Sequence, residues 1–448
     1  MSASIKEEIW IAHLLRRAGF GASADEMTYY RSLGYRSAVE ALLNPERVDN
    51  SELEAMLDKE MFDFTNRTDL RRWWIYRMAF SKRPLEEKMT LFWHGHFATS
   101  VAKVGNAYLM YDQNELFRRQ GLGRFGDLLL AVSKDPAMID WLDSKDNTKA
   151  KPNENYAREV MELFTLGIGN YSEQDVKEAA RAFTGWAAPK GFYFNRKQHD
   201  AGSKTVLGLT GNLNGDDVCA HLAKLEPTAM RLSRKLVAFF CMDNPPDDMV
   251  AEVAEAYQRN DQQIKPMLRT IFLHDKFKSE EAYHCKIKSP AELVIGTIKA
   301  LNVQKIDGDL PNVMARMGQN LFEPPSVKGW DGGLNWIATD TMMERFNFAS
   351  RISTQKFDAI DGYVLPSKLA EKHGLKSHDQ IVDYFVNVLV DNDIPANARK
   401  KLLAYLNTDM KGEALPRSAT IKIDDKTTDA KMRGLLHLIM TMPSYQLA

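Results

Sequence analysis

The sequence predicts a mainly α-helical fold, a single large multi-helix domain with one small β-hairpin insertion. Three observations carry this expectation. Apolar residues recur at three- and four-residue intervals along nearly the whole chain. Helix-starting Ser, Asp and Pro and helix-ending Gly punctuate that period. Alternating aromatic and β-branched residues are confined to one stretch, 188–210.

Taken in order, residues 5–17 read as an amphipathic helix stopped by Gly19 and Gly21, and Ser23 reads as the cap of the next. The same pattern predicts helices near 35–43, 51–62, 68–81, 84–98, 105–119, 124–133 and 136–143. Two stronger ones follow at 153–166 and 173–185, the second capped by Ser172 with Asp175 at the third position. Gly167 and Gly169 between them permit a tight reversal, so the two form a helical hairpin. The runs 191–200 and 204–211, joined by Ala201-Gly202-Ser203, read as a β-hairpin near 191–208. Helices resume near 215–223, 227–240, 247–259, 264–273, 289–301 and 310–318, and return at 340–355, 378–391, 396–407 and 427–441. Residues 322–336 hold prolines and glycines and read as an ordered loop, while 409–426 read as a polar loop. A helical core over 1–355 and a C-terminal helical extension over 356–448, packed on that core, follow from this order.

Composition bounds the function. Lys plus Arg number 59 and Asp plus Glu 60, for a net charge of -1, which argues against a dedicated nucleic-acid binder. Cys219, Cys241 and Cys285 are dispersed, which disfavours disulfides or a cysteine zinc site. No run approaches the roughly 18 apolar residues of a membrane span, so none is expected. The chain as written starts without an apolar leader. That implies a cytoplasmic protein, or a periplasmic or exported one if a leader was removed. Walker A, dinucleotide-fingerprint, HExxH and GxSxG motifs are absent.

The candidate chemistry lies on few segments. At about 100° per residue, Glu154, Arg158, Glu162, Asn155 and Glu159 share one polar wedge of the 153–166 helix, opposite Tyr156, Val160, Leu163 and Phe164. Carboxylates beside an arginine are the raw material of general acid and base catalysis, or equally of a solvated helix face. His94 and His96 end the 84–98 helix in an aromatic setting. They read as core histidines or as ligands of a divalent metal, although two residues apart on a helix is an awkward spacing for one ion. His199 and Asp200 lie at the turn of the expected hairpin. Trp330, with Trp336 and Asp331, offers a stacking surface or an aromatic plug.

These residues fall within a series of motifs: HLLRRAGFG (13–21), FWHGHFATS (92–100), the long NENYAREVMELFTLGIGNYSEQDVKEAARAFTGW (153–186), HDAGSKTVLG (199–208), KSPAELV (288–294), PPSVKGWDGG (324–333) and the final MPSYQLA. In order and over nearly the whole chain, they resemble the bacterial domain of unknown function 1800 family. The resemblance implies a bacterial source and a single, mainly helical domain, and it brings no established reaction. Members of that family often look exported, and their genes often neighbour sulfatase-like proteins of domain of unknown function 1501, which the resemblance offers as a candidate partner. The polar residues shared by the motifs come from separated segments, which favours one polar site where they meet.

The reading is a hydrolase or lyase acting on a polar small molecule, such as a saccharide. Glu154, Arg158, Glu159, Glu162 and His199 are its candidate catalytic residues. Asn153, Asp200, Trp186 and Trp330 are the candidate substrate contacts, and His94 and His96 the candidate metal ligands. One of the two histidines, Glu154 or Glu162, and His199 or Asp200 are expected to border one pocket. The alternatives are a non-catalytic envelope or assembly protein whose polar groove binds a partner and, third, a metal-dependent phosphate or sulfate ester hydrolase.

Overall fold

The computed structural model describes residues 3–303, 306, 308–354, 364–409, 411–413 and 426–448. The expected boundary near 356 and most of the polar 409–426 segment lie outside the described residues. Among the described residues there are 23 α-helices and two two-stranded antiparallel sheets, so the fold is mainly α. Local chemistry sets many helix ends. Ser23, Ser172, Asn214 and Ser289 each close a capping box that satisfies two free backbone donors. Pro84 and Pro290 stand at the first turn, where a missing N–H costs nothing. No helix among the described residues is long and apolar enough to cross a membrane.

The strands pair differently from the single hairpin expected. Trp186–Ala187 pairs with Tyr193–Phe194, and Lys204–Val206 with Leu209–Gly211. The second turn is Leu207-Gly208, both with positive φ (49° and 84°), the geometry of the tightest hairpin turns. Residues 191–194 therefore fold back on 186–187 instead of pairing forward.

Two hydrophobic clusters form the interior. One gathers apolar side chains between Ile11 and Ala282, and the other joins residues between Phe20 and Ala137 to residues between Ala291 and Tyr445. The Pro84–His96 helix lies between them and is buried on every face. Leu85, Met89, Phe92 and Trp93 serve the first cluster and Leu91 the second. A buried ion pair, Lys88 to Glu292 at 2.5 Å, ties this helix to the Pro290–Ala300 helix. The second cluster includes residues on both sides of position 355, so the C-terminal helices share its interior.

Candidate functional site

Because the Pro84–His96 helix is buried all round, both of its histidines are interior groups. They serve different neighbours. His94 Nε2 accepts the Phe322 N–H at 3.0 Å, and its ring lies against Trp74, Phe322 and Trp330. Burial pushes its pKa down to about 3, so the ring is neutral and clamps the 322–336 loop. His96 Nε2 donates to the Phe164 carbonyl at 3.1 Å, which leaves Nδ1 as a lone pair 3.2 Å from Lys235 Nζ. Burial first, and Lys235 second, hold it well below the usual histidine range. The expected shared metal position does not form. The ring nitrogens that make these bonds are spent on separate partners, and no group of three or more His, Cys, Asp or Glu that could hold an ion exists among the described residues.

The carboxylate helix also departs from the expected geometry. It is α-helical only over Asn155–Glu159 and widens to a π-turn over Val160–Phe164. Leu166 N and Gly167 N both bond to Met161 O, at 2.8 and 3.0 Å, and Thr165 Oγ1 donates to Val160 O at 2.5 Å. The Leu163 and Phe164 carbonyls accept instead from Arg231 Nε at 3.4 Å and from His96. Such widened turns recur at functional sites because they re-aim side chains. Here Glu162 accepts the Tyr171 hydroxyl at 2.8 Å and lines a cavity of about 780 Å³.

That cavity is bordered by His96, Glu162, Arg231, Lys235, Met230 and Lys328. Lys235 and Arg231 stand one turn apart on the Glu226–Phe240 helix. Burial, and then Arg231, push the Lys235 ammonium down to about 7. Burial also lowers Arg231. Burial and neighbouring Glu162 raise the Glu159 carboxyl. Lys328 comes from the 322–336 loop, which the next residue seats. Gly329 has φ of +83°, and a Cβ there would stand 2.3 Å from the Gly95 carbonyl oxygen. Gly329→Ala is therefore expected to lower the unfolding free energy by about 1–3 kcal/mol through backbone strain and to displace Lys328. Urea unfolding measures the first effect.

The structure brings His96 and Glu162 to one cavity but leaves the other sequence candidates elsewhere. Arg158 binds Glu154 at 3.1 Å and Glu173 at 2.7 Å on the outer face, not Glu162. The π-turn displaces Glu162 from the wedge that an unbroken α-helix would give. Asn153 braces a turn, with Nδ2 donating to Asp143 O at 3.1 Å. His199 Nδ1 donates to Thr184 O at 3.0 Å. Asp200 pairs with Arg181 at 2.7 Å, which holds its carboxyl down at about 2. Trp186 packs edge-on against Phe183 and Phe192, and Trp330 against His94. None of these residues lines the cavity, and neither does Glu159. His199 and Asp200 do not line this cavity: Arg181 on the Glu173–Ala182 helix, and Thr184 just beyond it, hold that turn. Arg158→Ala should leave the melting temperature nearly unchanged, since exposed ion pairs contribute little. A thermal scan beside the unaltered protein checks it.

Sequence reasoning missed Lys235, Arg231 and Tyr171. The available signal was a pair of cations four residues apart on a helix whose neighbours Leu232, Leu236 and Val237 are apolar. A second cavity, about 690 Å³, lies among Arg16, Lys288, Asp391 and Tyr445. Two of its cations have partners. Arg16 pairs with Asp391, and Lys288 Nζ donates to Tyr445 O at 2.8 Å.

Comparison with known proteins gives a match to one family model, described as a protein of unknown function (DUF1800), over residues 13–447. No curated protein and no solved structure matches.

Proposed function

Starting from a chain that belongs to the DUF1800 family over nearly its whole length, we propose that the His96–Glu162–Lys235 cavity is its working site. On this reading the protein is an acid–base enzyme, a hydrolase or lyase acting on a polar substrate such as a saccharide. One observation carries the reading. The Lys235 amine sits in the cavity wall with His96 Nδ1 as its hydrogen-bond partner at 3.2 Å and no carboxylate within ion-pair range among the described residues. A lysine so placed loses its proton readily and becomes a base near neutral pH. His96 accepts one N–H of the amine and so turns its lone pair toward the cavity. The common first step of hydrolysis and elimination is then open to it: removal of a proton from water, or from a carbon beside an acidifying group. Glu162, steadied by Tyr171, is the second proton-handling group.

Two measurements test this. Reductive ¹³C-methylation followed by NMR titration should show the Lys235 resonance titrating near neutrality; titration at the ordinary lysine value would sink the base. Mass spectrometry of oligosaccharides incubated with the protein separates hydrolysis, which adds water, from elimination, which does not. Ile168, at the cavity mouth and 79% exposed, favours a second reading in which the rim docks a partner. Unchanged turnover in Lys235→Met would favour it further.

A further inference from the structure

We propose that this cavity anchors an oxyanion, a carboxylate or a sulfate or phosphate ester, and that the substrate is therefore acidic. The inference rests on the cavity being the working site and adds the class of molecule it takes. It starts from an imbalance in charge pairing. Several buried cations elsewhere in the molecule have carboxylate partners, while others, such as Arg17, Arg345 and Lys288, are answered by backbone carbonyls. Arg118 holds Glu87 through bonds of 2.7 and 2.9 Å, Lys88 holds Glu292 at 2.5 Å, and Lys299 holds Glu26 at 2.6 Å. Arg231, Lys235 and Lys328 line one cavity, and among the described residues none of the three makes an ion pair. Lys328 is exposed, but Arg231 and Lys235 are partly withdrawn from water, where a cation without a counter-charge is costly and a ligand that brings the counter-charge relieves that cost.

The carboxylates of the cavity make no ion pair with these cations. Glu162 is near enough to favour the Arg231 charge but spends its hydrogen bond on Tyr171, and Glu226 stands at the first turn of its helix. The neighbouring Arg234 is already paired with Asp247 at 2.7 Å. Arg231 spends Nε on the Leu163 carbonyl, which leaves its two Nη groups for a ligand. Gly167 makes room for them: its φ is +86°, and a Cβ there would lie 2.9 Å from Arg231 Nη1. A guanidinium presenting two nitrogens matches two oxygens of one oxyanion, while lysine adds a point charge. Arg231 comes from the Glu226–Phe240 helix and Lys328 from the loop across the opening, so an anion between them is held from two sides.

The test is calorimetric titration of the full chain, at constant ionic strength, with sodium sulfate, sodium phosphate, sodium glucuronate and, as the neutral probe, glucose. At least one oxyanion should saturate a single site while glucose does not. Preference for glucuronate identifies a carboxylate anchor, and preference for sulfate or phosphate an ester. Arg231→Gln and the exposed-loop variant Lys328→Gln should each weaken binding about tenfold or more, the loss typical of a charge-assisted hydrogen bond. Arg158→Ala should not change it. Absence of saturable oxyanion binding overturns the inference, and so does binding that Lys328→Gln and Arg231→Gln leave intact. The two readings fail separately. Turnover that survives Lys235→Met while anions still bind removes the acid–base mechanism and keeps the anchor. Turnover of a neutral substrate at an unaltered rate in Arg231→Gln removes the anchor and keeps the mechanism.

Discussion

Glu87→Gln is expected to destabilise the protein by about 3–5 kcal/mol, the usual effect of removing one partner from a buried ion pair. Glu87 is fully buried. Its two oxygens accept from Arg118 Nε at 2.7 Å and Nη2 at 2.9 Å, from Arg77 Nε at 3.3 Å and from Trp74 Nε1 at 3.2 Å. Glutamine keeps the volume but presents an amide group to two guanidinium ions that remain charged. Glu54 and Glu115 answer part of that charge from the periphery, yet neither reaches the centre. Burial alone would raise the Glu87 carboxyl, but Arg118 and Arg77 outweigh it and hold the pKa below the usual range. A carboxylate with a depressed folded pKa stabilises above its unfolded value and loses that contribution as pH falls through the folded one. The gap between unaltered protein and variant should therefore be full at neutral pH and should narrow below about pH 4. Urea unfolding at several pH values measures it. A variant as stable as the parent at pH 7 would show that the network is compensated elsewhere.

Lys235→Met is expected to do the opposite, abolishing activity while the fold gains stability. The ammonium is held at about 7, below its ordinary value, because burial and then Arg231 disfavour the charge. Below pH 7 the folded and unfolded chains both carry the proton, and the folded one bears the full penalty. As pH rises from 7 toward the ordinary lysine value, the folded amine is neutral while the unfolded one still binds a proton. The unaltered protein then gains stability by up to about 1.4 kcal/mol per pH unit from this group. The variant's advantage should thus be largest near pH 6 and shrink toward pH 9. About 1 kcal/mol is offset by the His96 Nδ1 atom left without its donor. Thermal scans of both proteins across that pH range check it. A constant difference would mean that Lys235 does not titrate there.

The contrast between these two residues explains what the sequence made legible. Helix ends that depend on neighbours in the chain were readable. The helix expected at 35–43 spans Tyr35–Leu43, and those at 247–259 and 264–273 span Asp247–Arg259 and Ile264–Leu273. Ser23 and Ser172 cap as their spacing implies. Features that depend on distant partners were not readable. The π-turn at Val160–Phe164 is braced by Arg231 and His96, both far away in sequence. The register of the second small sheet turns on Leu207 adopting positive φ, which leucine does not advertise. His96 and Glu162 were legible as polar residues in motifs. Lys235 was not, because a lysine on a helix reads as solvated unless its burial is known.

The Pro84–His96 helix contributes side chains to both hydrophobic clusters and ends at the candidate site. In a chain with two clusters, each would ordinarily be free to open by itself as a separate cooperative unit. Here they share a wall. Opening either cluster strips one face of that wall, and the buried charges Lys88 and Glu87 must then leave their partners as well. Partly open forms of the molecule are thus costly to populate. His96 rides at the end of the shared wall, so a local opening of either half withdraws it from Lys235. The site exists only while both halves are closed, and damage far from it registers as lost function before the chain unfolds.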